Sequence, residues 1–124
     1  MAAPNMLSAS TITGKTATVS LTTTSATEVL SNADASGKVF KVNMLVVSNV
    51  DGTDPADITV SYYSEDNIGG TATEIIQQST VSANENLTVL DKNICIYLEE
   101  NRSIGATASA ADDLKIIVSY EEIS

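Results

Sequence analysis

Branched and apolar residues alternating with polar ones, in runs too short for helices, constrain this chain more than any other feature. Ala17, Val19 and Leu21 alternate with Thr18, Ser20 and Thr22, and Ile58, Val60 and Tyr62 alternate with Thr59, Ser61 and Tyr63. A period of two places each set on one face of a pleated strand. Val, Ile and Thr supply 37 of the 124 residues. Branching at Cβ costs rotamer freedom in a helix but packs well on a sheet, so the bias and the pattern agree.

A longer strand is expected from Phe40 onward, with Phe40, Val42, Met44 and Val46 on one face and Lys41, Asn43, Leu45 and Val47 on the other. It should begin half-exposed and end buried on both sides. Further strands are expected over residues 73–81, 86–90, 94–98, 103–109 and 114–120. Turn chemistry separates them: Asp51-Gly52, Asp54-Pro55, Gly69-Gly70, Ala83-Asn84-Glu85-Asn86, Glu100-Asn101 and Asp112-Asp113. Ser25-Ala26-Thr27-Glu28 fits a helix-capping box, and Ala26, Val29, Leu30 and Ala33 have helical spacing. Three threonines before it and Gly37 after it leave little room, so a short strand is expected there instead. Short strands about ten residues apart predict an all-β, antiparallel β-sandwich, jelly-roll or Ig-like, of about eight strands.

One domain accounts for the length. Residues 14–124 are expected to form the sandwich and residues 1–13 an extended N-terminal arm. Met6, Leu7 and Ile12 in that arm are too little apolar surface for a self-contained element and too much for a solvated tail. An extended segment of this kind can add to the edge of a neighbour's sheet, where unpaired N–H and C=O groups await partners. The competing expectation is that it pairs with its own sandwich as an ordinary first strand. The opening residues lack a basic region and a long apolar stretch, so no secretory signal is expected and assembly in a cytoplasm is.

Charge and residue usage bound the function. The net charge is −10, from 16 acids against 6 scattered bases. Phosphate recognition needs clustered Lys and Arg, so neither nucleic acid nor an anionic membrane is an expected partner. Histidine is absent, which removes the commonest general base and most transition-metal ligand sets. The acid pairs Glu65-Asp66, Glu99-Glu100, Asp112-Asp113 and Glu121-Glu122 fall in turns or near the end, where carboxylates stay solvated and ionised. The chain is therefore expected not to be an enzyme and to need no cofactor. Asp51, Asp54 and Asp57 place three carboxylates in seven residues, a weak candidate for calcium, although the EF-hand order is missing. Cys95 stands alone in an apolar run and is expected to be buried and inert. Tyr62-Tyr63 is the one candidate platform for stacking a sugar, with one buried and one rim ring as the plainer expectation.

Three stretches carry a family likeness: Gly37-Lys38-Val39-Phe40-Lys41-Val42 running to Val47-Ser48-Asn49, then Ile96-Tyr97-Leu98-Glu99-Glu100, then Val118-Ser119-Tyr120-Glu121-Glu122-Ile123. With the opening Ala2-Ala3-Pro4-Asn5 and Thr11-Ile12-Thr13-Gly14-Lys15-Thr16, they resemble small virion structural proteins of tailed bacteriophages, above all those of cyanobacterial and other marine phages. The likeness spans nearly the whole chain and is one of strand-and-turn texture. It implies a particle component without enzymatic activity, of which a capsid decoration (cement) protein is the leading form. Such a protein would bind the major capsid protein or other virion proteins, assemble as a homo-oligomer and reside in the virion. A tail, neck or fibre component is the alternative within the class, and a carbohydrate-binding host-attachment module the alternative outside it.

Overall fold

A computed structural model of the chain describes residues 7–124. They form nine strands and no helix: β1 (Ile12–Ser20), β2 (Thr27–Asn32), β3 (Val39–Asn49), β4 (Ala56–Glu65), β5 (Gly69–Val81), β6 (Asn86–Leu90), β7 (Ile96–Leu98), β8 (Arg102–Ala108) and β9 (Leu114–Ile123). All pairings are antiparallel. One sheet runs β1-β9-β3-β6, with β7 also on β3, and the other runs β2-β8-β4-β5.

The connectivity follows from a single doubling-back at the β4–β5 hairpin. Outward from that hairpin, β3 pairs with β6 and β7, β2 with β8, and β1 with β9. Successive rungs alternate between the two sheets, which is the winding of a jelly roll. Of the two sandwich types expected, this topology is the jelly roll. Residues 86–98 supply two short strands, as expected, and these pair with successive halves of β3.

Burial matches the alternation in most places. Leu21, Ile58, Val60, Ile104, Leu114, Ile116 and Val118 are fully or nearly fully buried, and Ala17, Val19 and Tyr62 pack against that core. Residues 27–32 are a strand, as the flanking threonines and Gly37 imply.

β3 departs from the expected facing. Val42 opposes Tyr120 and Met44 opposes Ser119, so Asn43 is an extra residue in a β-bulge. Phe40 and Val42 point into the core, but beyond the bulge the inward set becomes Leu45, Val47 and Asn49. Met44 and Val46 turn to the outer face, half-buried. The strand expected over residues 94–98 also loses its start: Asp91 accepts the backbone N–H of Asn93 on its side chain and that of Ile94 on its carbonyl, an Asx turn that leaves Ile94 exposed. Cys95 is half-buried rather than buried.

From Thr11 onward the N-terminal segment pairs with its own sandwich. Thr11 and Ser124 exchange both backbone hydrogen bonds at 2.9 Å, and Ile12 opposes Ile123. The expected boundary at 13/14 thus falls inside β1.

Candidate functional site

The two outer faces of the sandwich differ in what covers them. On the β2-β8-β4-β5 side, the tip of the β4–β5 hairpin folds back over the sheet. Ser103 is fully buried there; its hydroxyl donates to the Glu65 carbonyl at 2.7 Å and accepts the Ile68 N–H at 2.8 Å. Asn101 accepts the N–H of Asp66, Ser31 accepts that of Asn67, and Arg102 donates to the Ser64 carbonyl. Tyr63 and Ile68 lie so close over Gly105 that a Cβ on that glycine would sit 2.9 and 2.8 Å from them. Gly70 lets the tip turn, at φ +72°, where a Cβ would collide with the Ser64 hydroxyl.

Among the described residues no hairpin folds back over the outer face of the β1-β9-β3-β6 sheet, which is buried only in its first row, at Val39 and Ile123. Register places its side chains in cross-strand rows: Ile12–Ile123–Val39, Gly14–Glu121–Lys41–Tyr97, Thr16–Ser119–Met44, Thr18–Ile117–Val46–Thr88 and Ser20–Lys115–Ser48–Asn86. Of the chain's 16 acids only Glu121 belongs to these rows, against Lys41 and Lys115. A molecule with net charge −10 therefore carries one broad face whose rows sum to about +1, one Glu against two Lys. The middle of the face is apolar and hydroxylic. Ile117 is 41% exposed, and Thr16 donates to the Ser119 hydroxyl at 3.4 Å. A groove of about 550 Å³ beside Thr16, Met44 and Ser119, into which Asp91, Lys92 and Glu121 bring charge at its margin, and another of about 400 Å³ beside Thr18, Ser48, Val50 and Ile117, give the face relief. Val39 and Ile123, in the first row, are buried but stand apart from the main core cluster.

At one end of the sandwich the acidic loop is organised around Asp51. Its Oδ1 accepts the N–H of Thr53 at 2.8 Å, the Thr53 hydroxyl at 2.9 Å and the N–H of Asp54 at 3.4 Å. The Thr53 N–H, then its hydroxyl, then the Asp54 N–H hold the Asp51 carboxyl below the usual range. Asp113 beside it is pushed up, by desolvation first and then by the charges of Asp51, Asp54 and Asp112. Asp57 is elsewhere engaged, accepting the Thr80 hydroxyl at 2.7 Å. The three carboxylates singled out in sequence are thus not gathered on one point. Among the described residues no three Asp, Glu, Cys or His side chains are placed to hold a metal ion.

Tyr62 and Tyr63 point to opposite faces, Tyr62 toward the core and Tyr63 over Gly105, so they do not form one stacking platform. Leu7 is almost fully exposed, Ile12 is 60% exposed on β1, and Met6 lies outside the described residues. No helix among the described residues is long and apolar enough to cross a membrane. This outer face of the β1-β9-β3-β6 sheet was not legible as a site in sequence, because its residues come from five strands and none is unusual alone.

No protein-family model and no curated protein sequence matches the chain. Solved structures do. A subunit of the disulfide-linked pili of Bacillus endospore appendages aligns over 92% of this chain and 88% of its own, at 14% identity and a TM-score of 0.54. At that identity the likeness is one of fold: the two chains share a β-sandwich. Two chains from infectious bursal disease virus, one of the T13 particle and one of the Gx strain, align over 89% and 90% of this chain but only 31% and 37% of theirs. Their identity is 9% in both cases, with TM-scores of 0.41 and 0.33.

Proposed function

We propose that this protein is a non-enzymatic structural subunit of a virus particle, a capsid decoration (cement) protein of a tailed phage that binds the major capsid protein. The observation that carries the proposal is the outer face of the β1-β9-β3-β6 sheet. Its rows hold a single acid in a molecule of net charge −10, with Ile117, Val46 and Met44 among hydroxyls. A surface of this kind suits contact with another protein, since apolar area supplies the affinity and the missing negative charge avoids repulsion. The jelly-roll frame and the sequence likeness to phage virion proteins support the same reading. The hairpin tip covers part of the opposite face, around Ser103 and Gly105, which favours the β1-β9-β3-β6 face as the one that lies on a shell.

The deciding experiment is a mass-spectrometric copy number relative to the major capsid protein in purified particles. Hundreds of copies are expected for decoration. A few copies would assign the chain to a tail, neck or fibre, and none would remove it from the virion altogether. Substituting Ile117→Glu should release the protein from shells while leaving it folded.

A further inference from the structure

Among the described residues β1 is an edge strand, and its edge differs from the other sheet edges. Ordinary proteins blunt their edges with short strands, bulges, charges or prolines. β2 has six residues, a register shift and Glu28. β5 carries three register shifts against β4 and a left-handed Gln78. The remaining edge is split between β6 and β7, of five and three residues. β1 has none of these devices: nine residues in unbroken register with β9, no proline, and Lys15 as its one charge.

Hydrogen-bond parity shows what this edge offers. Thr11 exchanges both its backbone bonds with Ser124, and Leu21 donates to Leu114 and accepts from Asp112. The odd-numbered residues of β1 therefore face β9. The even-numbered ones, Ile12, Gly14, Thr16, Thr18 and Ser20, direct their N–H and C=O outward. Those five positions are symmetric about Thr16. Laying a second β1 antiparallel across a two-fold axis there pairs Thr16 with Thr16, Gly14 with Thr18 and Ile12 with Ser20. Each is a pair in which both residues present their groups, so all ten outward groups find partners. No like charges meet, because Lys15 falls opposite Ala17, and Ala17 and Val19, half-buried at the margin of the core, would be covered.

We propose that two copies of this chain pair along β1 in this register, joining their β1-β9-β3-β6 sheets into one continuous sheet with one continuous outer face. The partner is a second copy because the edge is complementary to itself in hydrogen-bond parity and in side chain. It is also among the least acidic parts of a strongly acidic molecule. The two subunits still repel as bodies, so the dimer strengthens as salt rises toward physiological ionic strength and screens that repulsion. The pairing does not depend on the virion reading and can be tested in the purified full-length chain.

Sedimentation equilibrium of the full chain is expected to show a monomer–dimer equilibrium. Thr16→Pro removes an outward N–H and no backbone bond to β9, losing there only the 3.4 Å hydroxyl contact with Ser119, so the variant keeps the wild-type circular dichroism spectrum and dimerises at least about tenfold more weakly. Thr16→Lys and Thr16→Glu each set like charges face to face and are expected to be monomeric. Mixed together they should re-form a heterodimer, a result no general folding defect would produce. Removing residues 1–10 should leave the dimer intact. A wild-type chain that stays monomeric, or a Thr16→Pro protein that dimerises as wild type, overturns the proposal. So does a K/E mixture that stays monomeric, or a dimer abolished by the N-terminal deletion, which would give the contact to the arm.

Discussion

The side-chain amide of Asn49, on β3, donates to the carbonyl of Val81, on β5 in the opposite sheet, at 2.9 Å. The same amide donates to the Asp54 carbonyl at 3.0 Å, and its Oδ1 accepts the N–H of Asp51 at 2.9 Å. Asn32, on β2, makes the reciprocal link at full burial, donating to Lys38 at 2.9 Å and to Leu98, on β7, at 3.0 Å. The Ser36 hydroxyl donates to its Oδ1. Each sheet thus sends one buried amide across to a carbonyl of the other. No buried side-chain N or O among the described residues is left unpaired.

Truncating either amide removes two hydrogen bonds to carbonyls, one buried and one part-buried. Asn49→Ala and Asn32→Ala should each lose about 2–4 kcal/mol of unfolding free energy, measured by urea denaturation. Asn49→Asp is the sharper variant. An ionised carboxylate cannot donate and faces two carbonyl oxygens, so it should be the worse substitution at neutral pH. It should recover part of the loss in acid, where the protonated group donates again.

Gly105→Ala should cost about 1–3 kcal/mol, because the added methyl meets Ile68 and Tyr63 at under 3 Å and the Thr27 carbonyl at 3.3 Å. Ile68 is the neighbour able to yield. The double variant with Ile68→Ala should therefore be more stable than the sum of the single losses, a coupling that a double-mutant cycle measures.

The acidic loop makes stability depend on pH in two opposite senses. The Asp113 carboxyl is held above its ordinary 3.8, so its charge opposes folding at neutral pH, and the opposition fades as pH falls through the raised value. Asp51 is held below 3.8, so its contribution is present above that value and is lost as pH falls through the lowered one. Asp113→Asn should raise the melting midpoint at pH 7, with a gain that shrinks on acidification. Asp51→Ala should lower it at pH 7 and converge with wild type in strong acid. Added calcium should leave the wild-type midpoint where excess chelator leaves it, because Asp51 is occupied by its own loop and Asp57 by Thr80.

What sequence reveals of this fold is its periodicity. Ala17 with Val19 and Ile58 with Val60 were legible because a strand in regular register repeats every two residues, and turn residues mark its ends. Asn32 and Asn49 were not, since asparagine beside a turn reads as turn chemistry whether its amide is solvated or crosses the core. Self-complementarity of the β1 edge was equally hidden, because it depends on which groups β9 has already taken. The facing of β3 failed for a third reason: an inserted residue inverts the phase of everything after it and leaves no local signature.

That inversion can be tested directly. Along β3 the inward residues are Phe40 and Val42 before the bulge and Leu45 and Val47 after it. Removing Asn43 brings Val42 next to Met44. The strand then alternates without interruption: Val42 in, Met44 out, Leu45 in, Val46 out, Val47 in. The deletion keeps every apolar side chain on its present face and removes an irregularity. Removing Val46 instead sets Leu45 next to Val47 and turns Val47 and Asn49 to the outer face, taking a buried valine and an inter-sheet clamp away together. Deletion of Asn43 should therefore leave a cooperative unfolding transition with a β-type circular dichroism spectrum, at reduced but measurable stability. Deletion of Val46 should abolish the transition. If both variants unfold alike, the bulge is itself required for β3 to meet β9 and the β6–β7 edge at once, and the regular strand is not an available alternative.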